Sequence, residues 1–263
     1  MAYEYGKAHW DDLWEKLEQE GNVGLDYVIN PYLYPEIAHV LAQMPKAFVV
    51  DFGCGTNLMG IQLLYGYSQS IAALKNVDEL DHARFNTMLY LGLEGQDELV
   101  KRSGSYLKDL GNPANIATTQ AHIGAIDDTF FDEKSVDLCV SRNFLMHLSL
   151  QDYEKHMSHV FSLLKPGGFY IFATLNPAYE CLKAERELEN GERYDFIHGK
   201  SGEHGTFYHF YKTVETYETS MSRFVLQKKI SCIPISEEFK STHERYYDPE
   251  VPMAFVYVLK KEG

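Results

Sequence analysis

The stretch AFVVDFGCGTN, residues 47–57, decides the fold. Residues 47–52 form a run that is apolar except for Asp51 and leads directly into Gly-Cys-Gly. A strand with one solvated face alternates polar and apolar residues, whereas a strand covered on both faces of a parallel sheet reads as a near-continuous apolar run. Gly53 and Gly55 then let the backbone approach a ligand closely at the carboxyl end of that strand, where open α/β sheets bind their ligands. The plainer alternative is a tight strand-to-helix turn with no ligand. A dinucleotide fingerprint is a poor fit. Counting G-x-G-x-x-G from Gly53 puts Leu58 where the third glycine belongs, and the next glycine is Gly60. No G-x-x-x-x-G-K-[ST] phosphate loop occurs either.

Working outward, strands and helices alternate. A helix is expected from about Leu58, a weak strand around Ser70–Val77, and helical stretches through residues 81–110. A short strand follows near Thr118–Ile123, then a strand at VDLCVS (136–141) and a helix from Gln151 to Leu164. The turn Lys165-Pro166-Gly167-Gly168 leads into the strand FYIFAT (169–174). Such alternation implies right-handed crossovers and a doubly wound sheet. Segments 225–236 and 253–261 lie too close together for a crossover helix, which predicts an antiparallel pair at the sheet's edge. Upstream, Trp10, Leu13, Trp14 and Leu17 recur at helical spacing, and a second helix begins after Asn30-Pro31. The expected architecture is α/β: a mostly parallel sheet of about seven strands with an antiparallel last strand. A helical cap covers residues 1–45 and the sheet domain runs over 46–263. Polar, Glu-rich residues 177–211, with six aromatics from Tyr194 to Tyr211, are expected to form a lid insertion.

Composition narrows the partners. The 263-residue chain has formal net charge −14 and a pI near 5.2, with only short basic pairs such as Lys228-Lys229 and Lys260-Lys261. A nucleic-acid binder presents a Lys/Arg-rich face, so none is expected here. No apolar run approaches the roughly 18 residues of a membrane span. The N-terminus lacks the basic-then-apolar pattern of a secretory signal, and the cytoplasm is the expected compartment. Cys54, Cys139, Cys181 and Cys232 are scattered without a CxxC pair, so neither a disulfide framework nor a bound metal is expected.

Three blocks together resemble one family. Asp51-Phe52-Gly53-Cys54-Gly55-Thr56 resembles motif I of the class I, Rossmann-like S-adenosylmethionine-dependent methyltransferases. GAIDDTFFDEKSVDLCVSRNFLMHL (124–148) resembles the family's third and fourth strand region, and FSLLKPGGFYIFAT (161–174) its "LKPGG" turn into the fifth strand. The blocks stand in the family's order over about residues 47–175. The resemblance implies S-adenosylmethionine as cofactor, with S-adenosylhomocysteine as product.

By position, the resemblance assigns Asp51, Gly53, Cys54 and Gly55 to the cofactor's methionine end and ribose. Where the family has an acid at the end of the second strand to hold the ribose hydroxyls, Asp78 is the choice and Glu79 the rival; a carboxylate accepts two hydroxyl hydrogen bonds at once. The adenine turn maps to Gly124, Ala125 and Ile126, with Asp127 nearby. Arg142 and Asn143 follow the fourth strand, near the transferred methyl or the methionine carboxylate. Asn57 stands where the family has glycine; asparagine tolerates positive φ, and its side chain could donate to the cofactor carboxylate. His147 and His209 are the candidate bases, since a hydroxyl or ammonium acceptor must lose a proton. Packing or capping is the plainer role for both. Tyr27, Asn176, Tyr208 and Tyr211 are candidates for the acceptor pocket. The implied reaction is methyl transfer to an oxygen or nitrogen of a small metabolite or natural product. A protein or peptide methyltransferase, or a non-catalytic S-adenosylmethionine-binding regulatory module, is the alternative. The sequence sets neither the acceptor nor the oligomeric state.

Overall fold

The computed structural model describes residues 25–44, 46–65, 87–121, 131–197, 206–234, 236–242 and 250–263. The expected strand at 70–77, Asp78 and Glu79, and the adenine turn with Ala125 and Ile126 lie outside the described residues, as does the first expected helix.

The apolar run forms β1 (Phe48–Phe52), and its neighbours explain why it is apolar throughout. Val49 packs into the core cluster on one face of the sheet, with Ile37, Met59 and Tyr90. Val50 and Phe52 pack into the cluster on the other face, with Tyr153, Met157 and Tyr170. Successive side chains of a strand point to opposite faces, so both faces of β1 are covered. The remaining strands are β2 (Leu89–Glu94), β3 (Ile116–Gln120), β4 (Val136–Arg142), β5 (Leu164–Leu175), β6 (Arg193–Ile197), β7 (Thr206–Phe210), β8 (Val225–Cys232) and β9 (Ala254–Lys260). The helices are α1 (Asn30–Leu41), α2 (Leu58–Tyr65), α3 (Asp97–Asp109), α4 (Leu150–Leu163), α5 (Pro177–Ala184), α6 (Val214–Ser220) and α7 (Glu237–Thr242).

The main sheet has seven strands in the order β3-β2-β1-β4-β5-β9-β8. Pairing is parallel from β3 through β5, and β9 runs antiparallel to both β5 and β8. The expected antiparallel last strand is therefore present, inserted between β5 and the edge strand β8. One expectation is corrected. The stretch 81–110 is not helical throughout, because Leu89–Glu94 is a strand and pairs with β1 from Phe48↔Leu89 to Phe52↔Leu93. Residues 177–211 hold α5 and a two-stranded hairpin, β6 with β7, in register from Arg193↔Phe210 to Ile197↔Thr206. A helix does begin at Asn30-Pro31, after a single π-helical turn over Leu25–Ile29. Among the described residues, no helix is long and apolar enough to cross a membrane.

Candidate active site

The turn after β1 is built on three left-handed positions: Gly53 at φ 68°, Gly55 at φ 59° and Asn57 at φ 61°. The end of β2 pins it. Gly53 N and Cys54 N both donate to Leu93 O, at 2.9 and 3.1 Å, and Gly55 N donates to Glu94 Oε2 at 2.9 Å. Glu94 Oε1 accepts from Gln96 N at 2.9 Å, so the carboxylate is held at both oxygens. Two glycines are required by close approach. A Cβ on Gly92 would come 2.6 Å from Cys54 Sγ, and one on Gly53 would come 2.4 Å from a ring carbon of Phe144.

Asp51 lies beneath this turn, 1% exposed. Its Oδ2 accepts from Tyr90 OH at 2.8 Å, while Oδ1 is buried with no partner. Burial pushes its carboxyl up to about 7, against the opposing pull of the Tyr90 hydrogen bond and Arg142. Burial likewise holds the Cys54 thiol well above its ordinary range. At the end of the neighbouring strand, Arg142 Nη1 donates to Asn30 Oδ1 at 2.9 Å and to Tyr34 OH at 3.0 Å. Tyr34 OH in turn donates to Gln62 Oε1 at 2.5 Å, so α1, α2 and β4 meet at one polar junction. Asn143 follows at φ 53°, and its Oδ1 is a second buried oxygen without a partner. Buried polar atoms are nearly always hydrogen-bonded, so two unpaired acceptors at the carboxyl ends of adjacent strands mark a place where a donor-bearing ligand fits.

Several expected contributors are engaged elsewhere. Asn57 does adopt positive φ, but its side chain is fully buried. Its Nδ2 donates to Ala117 O at 3.2 Å and Thr118 Oγ1 at 2.8 Å, tying the turn to β3 rather than offering the amide to a ligand. Asn176 caps α5: its Oδ1 accepts from Ala178 N at 3.1 Å and its Nδ2 donates to Pro252 O at 2.7 Å. Its amide is thus a structural staple rather than an acceptor contact. Tyr27 packs against the apolar core, and Tyr211 is buried at the base of the hairpin. The Tyr208 ring already carries a cation of the protein's own, the Arg193 guanidinium at 3.8 Å.

The two histidines do meet. The His147 and His209 rings pack edge to face with centroids 5.1 Å apart, which joins the turn after β4 to the hairpin. His147 Nδ1 lies 3.2 Å from Tyr208 O, a contact that places the ring proton on Nδ1. Behind them is a buried polar group that the sequence reading missed. Tyr194 OH donates to Glu180 Oε1 at 2.5 Å, and His209 Nδ1 lies 3.4 Å from both Tyr194 OH and Glu180 Oε1. Burial pushes Glu180 up to about 8 and both histidines down to about 3. At neutral pH the two imidazoles are therefore uncharged. Lys212 is completely buried and donates to Leu145 O at 3.0 Å, Leu148 O at 2.6 Å and Phe210 O at 3.0 Å. Burial draws its pKa down to about 7, yet three carbonyl acceptors call for all three ammonium protons. Among the described residues, no group of three or more His, Cys, Asp or Glu side chains could hold a metal ion.

Comparison with known proteins places this geometry. Residues 50–172 match the family model described as a methyltransferase domain. That span carries a methyltransferase domain. The matched span includes the glycine turn, β2, β4 and most of β5. Solved structures share the fold. An S-adenosylmethionine-dependent methyltransferase from Mesorhizobium loti is 16% identical with TM-score 0.60, covering 92% of this chain and 99% of its own. One from Methanosarcina mazei is 14% identical with TM-score 0.60, covering 88% and 98%. Geranyl diphosphate methyltransferase in complex with S-adenosylmethionine is 13% identical with TM-score 0.53, covering 86% and 84%. No curated protein matches the sequence.

Proposed function

We propose that this methyltransferase acts on an oxygen or nitrogen of a small metabolite or natural product. The observation that carries this reading is the hairpin's attachment to the turn after β4. His147, His209 and Lys212 fix the insertion against that turn, and such an arrangement suits an enclosed acceptor better than an extended peptide.

Within the same proposal, the backbone of Gly53–Gly55 lies along the methionine end of the cofactor, and Asp51 Oδ1 and Asn143 Oδ1 accept from its ammonium. Glu94, at the end of the second strand, takes the role first assigned to Asp78 and accepts from the ribose hydroxyls. The bound cofactor supplies an electrophilic methyl on a sulfonium, so the chain's task is to align the acceptor and exclude water. His147, with its proton on Nδ1, presents Nε2 as the lone-pair nitrogen and accepts a hydrogen bond from the acceptor's hydroxyl or amine. Because burial disfavours its imidazolium, His147 orients the acceptor more than it stores the proton. His209 supports it from behind.

The test is to incubate the enzyme with methyl-labelled S-adenosylmethionine and a cell extract split by mass. Label in the low-mass fraction is expected, with loss of rate in His147→Ala. Label confined to the protein fraction would support the peptide alternative and contradict this reading.

A further inference from the structure

Asp51 and Tyr90 lie on the same face of adjacent strands without standing directly opposite. In the β1–β2 register Asp51 faces Gly92 and Tyr90 faces Val49, so the tyrosine reaches the carboxylate along the diagonal. Diagonal neighbours in a sheet are about 7–8 Å apart, a span that a long aromatic side chain can bridge. A glycine on α2 shapes the slot: a Cβ at Gly60 would come 2.6 Å from the Tyr90 ring. The ring is thus wedged between sheet and helix, and its hydroxyl is delivered to one carboxylate oxygen, 2.8 Å from Oδ2. The other oxygen, buried and without a partner, is left for the ligand.

We propose that Tyr90 is a positioning residue for the methyl donor, orienting Asp51 and favouring its ionised form so that cofactor binding follows the charge state of that buried carboxyl. This rests on the reading of Asp51 as the acceptor for the cofactor's ammonium. A protonated Asp51 would present a hydroxyl where an ammonium must dock, so binding requires the carboxylate. The groups that bear on it are known from every side. Tyr90 and Arg142 favour the charge, Glu94 from the end of β2 opposes it, and burial opposes it most. The Cys54 thiol in the turn and the Tyr170 phenol on β5 are held neutral by burial. On α1, Tyr34 and Asn30 fix the Arg142 guanidinium in place.

The test is calorimetric titration of S-adenosylhomocysteine into wild type and Tyr90→Phe between pH 5.5 and 8.5, with thermal melts of both proteins. Wild-type affinity is expected to rise with pH, bend near pH 7 and then level off. Tyr90→Phe keeps the ring and its packing but removes the hydrogen bond, so the bend moves up by about one to two pH units. Affinity at pH 7 then falls about tenfold, and the gap narrows toward pH 8.5. Asp51→Asn should bind weakly with no bend at all, which ties the bend to Asp51 if Tyr90→Phe folds poorly. A bend unmoved by Tyr90→Phe, or an equal loss at every pH, would overturn the proposal while leaving Asp51 as the acceptor. Wild type giving no heat at any pH would remove the cofactor reading and the proposal together.

Discussion

Around the glycine turn, the shape of the surface is set by backbone. Left-handed φ at Gly53 and Gly55, amides on Leu93 O and Glu94, and bare Cα atoms at Gly53 and Gly92 define the floor. In the insertion after β5 the same kind of rigidity comes from side chains remote in sequence. Glu180, Tyr194 and His209 are gathered from α5, β6 and β7, and Lys212 reaches back to the carbonyls of 145 and 148. The first construction tolerates little change of shape, and the second little change of charge. Each of the following substitutions separates the two.

The largest effect is expected at Lys212. Lys212→Ala leaves three buried carbonyl acceptors without their donor, and breaking a buried charged network costs about 3–5 kcal/mol. Urea unfolding measures it. A loss under about 1 kcal/mol would mean that the insertion does not depend on its buried charge. Gly53→Ala comes next, because it adds left-handed strain to a contact with the Phe144 ring and should cost about 2–3 kcal/mol. Its loss of S-adenosylhomocysteine affinity, by titration, should exceed that of any single change in the insertion.

Glu180 gives a pH signature. Its carboxyl titrates near 4.5 when unfolded and is pushed up to about 8 in the fold. The folded state therefore holds a proton that the unfolded state releases, and this contribution to stability is lost as pH rises from about 4.5 through 8. Glu180→Gln lacks that titration. From pH 5 to pH 8 the balance between variant and wild type should shift toward the variant, on the order of 3 kcal/mol. Melts at those pH values with a constant difference would contradict the burial account.

How much of this was legible follows the same division. β1 and its turn could be read because their signals are local: an apolar run, then glycines at the positions that need them. The paired strands at the carboxyl terminus were legible for the same reason. The strand at 89–94 falls inside an expected helical stretch because LYLGLE is short and carries a glycine, in a region rich in helix formers; a Cβ on Gly92 would run into Cys54. The available signal was the apolar hexad ending in an acid, Glu94. His147 and His209 were each named as a candidate base, and the structure packs their rings together. Glu180 and Lys212 gave no local sign, since a buried acid and a buried lysine look like surface residues until their partners are in place. Asn57 was read correctly in its backbone but not in its side chain, which bonds β3.

Asn57 also provides the smallest expected effect. Asn57→Gly relaxes the left-handed position but removes the two bonds to β3, and these opposing changes should leave stability within about 1 kcal/mol of wild type. Asn57→Ala keeps the strain and loses the bonds, so it should unfold at lower temperature than Asn57→Gly.

In the proposed function, Glu94 holds the methyl donor at the end of β2. Calorimetric titration of S-adenosylhomocysteine, with NAD as the control ligand, tests it. Wild type should bind at micromolar affinity and give no heat with NAD. Glu94→Gln should weaken binding about 10- to 100-fold while the protein remains folded, as expected for a lost hydrogen bond to a charged group. Asp78→Ala should leave affinity unchanged. Undiminished binding by Glu94→Gln together with a loss in Asp78→Ala, or heat with NAD alone, would contradict the account.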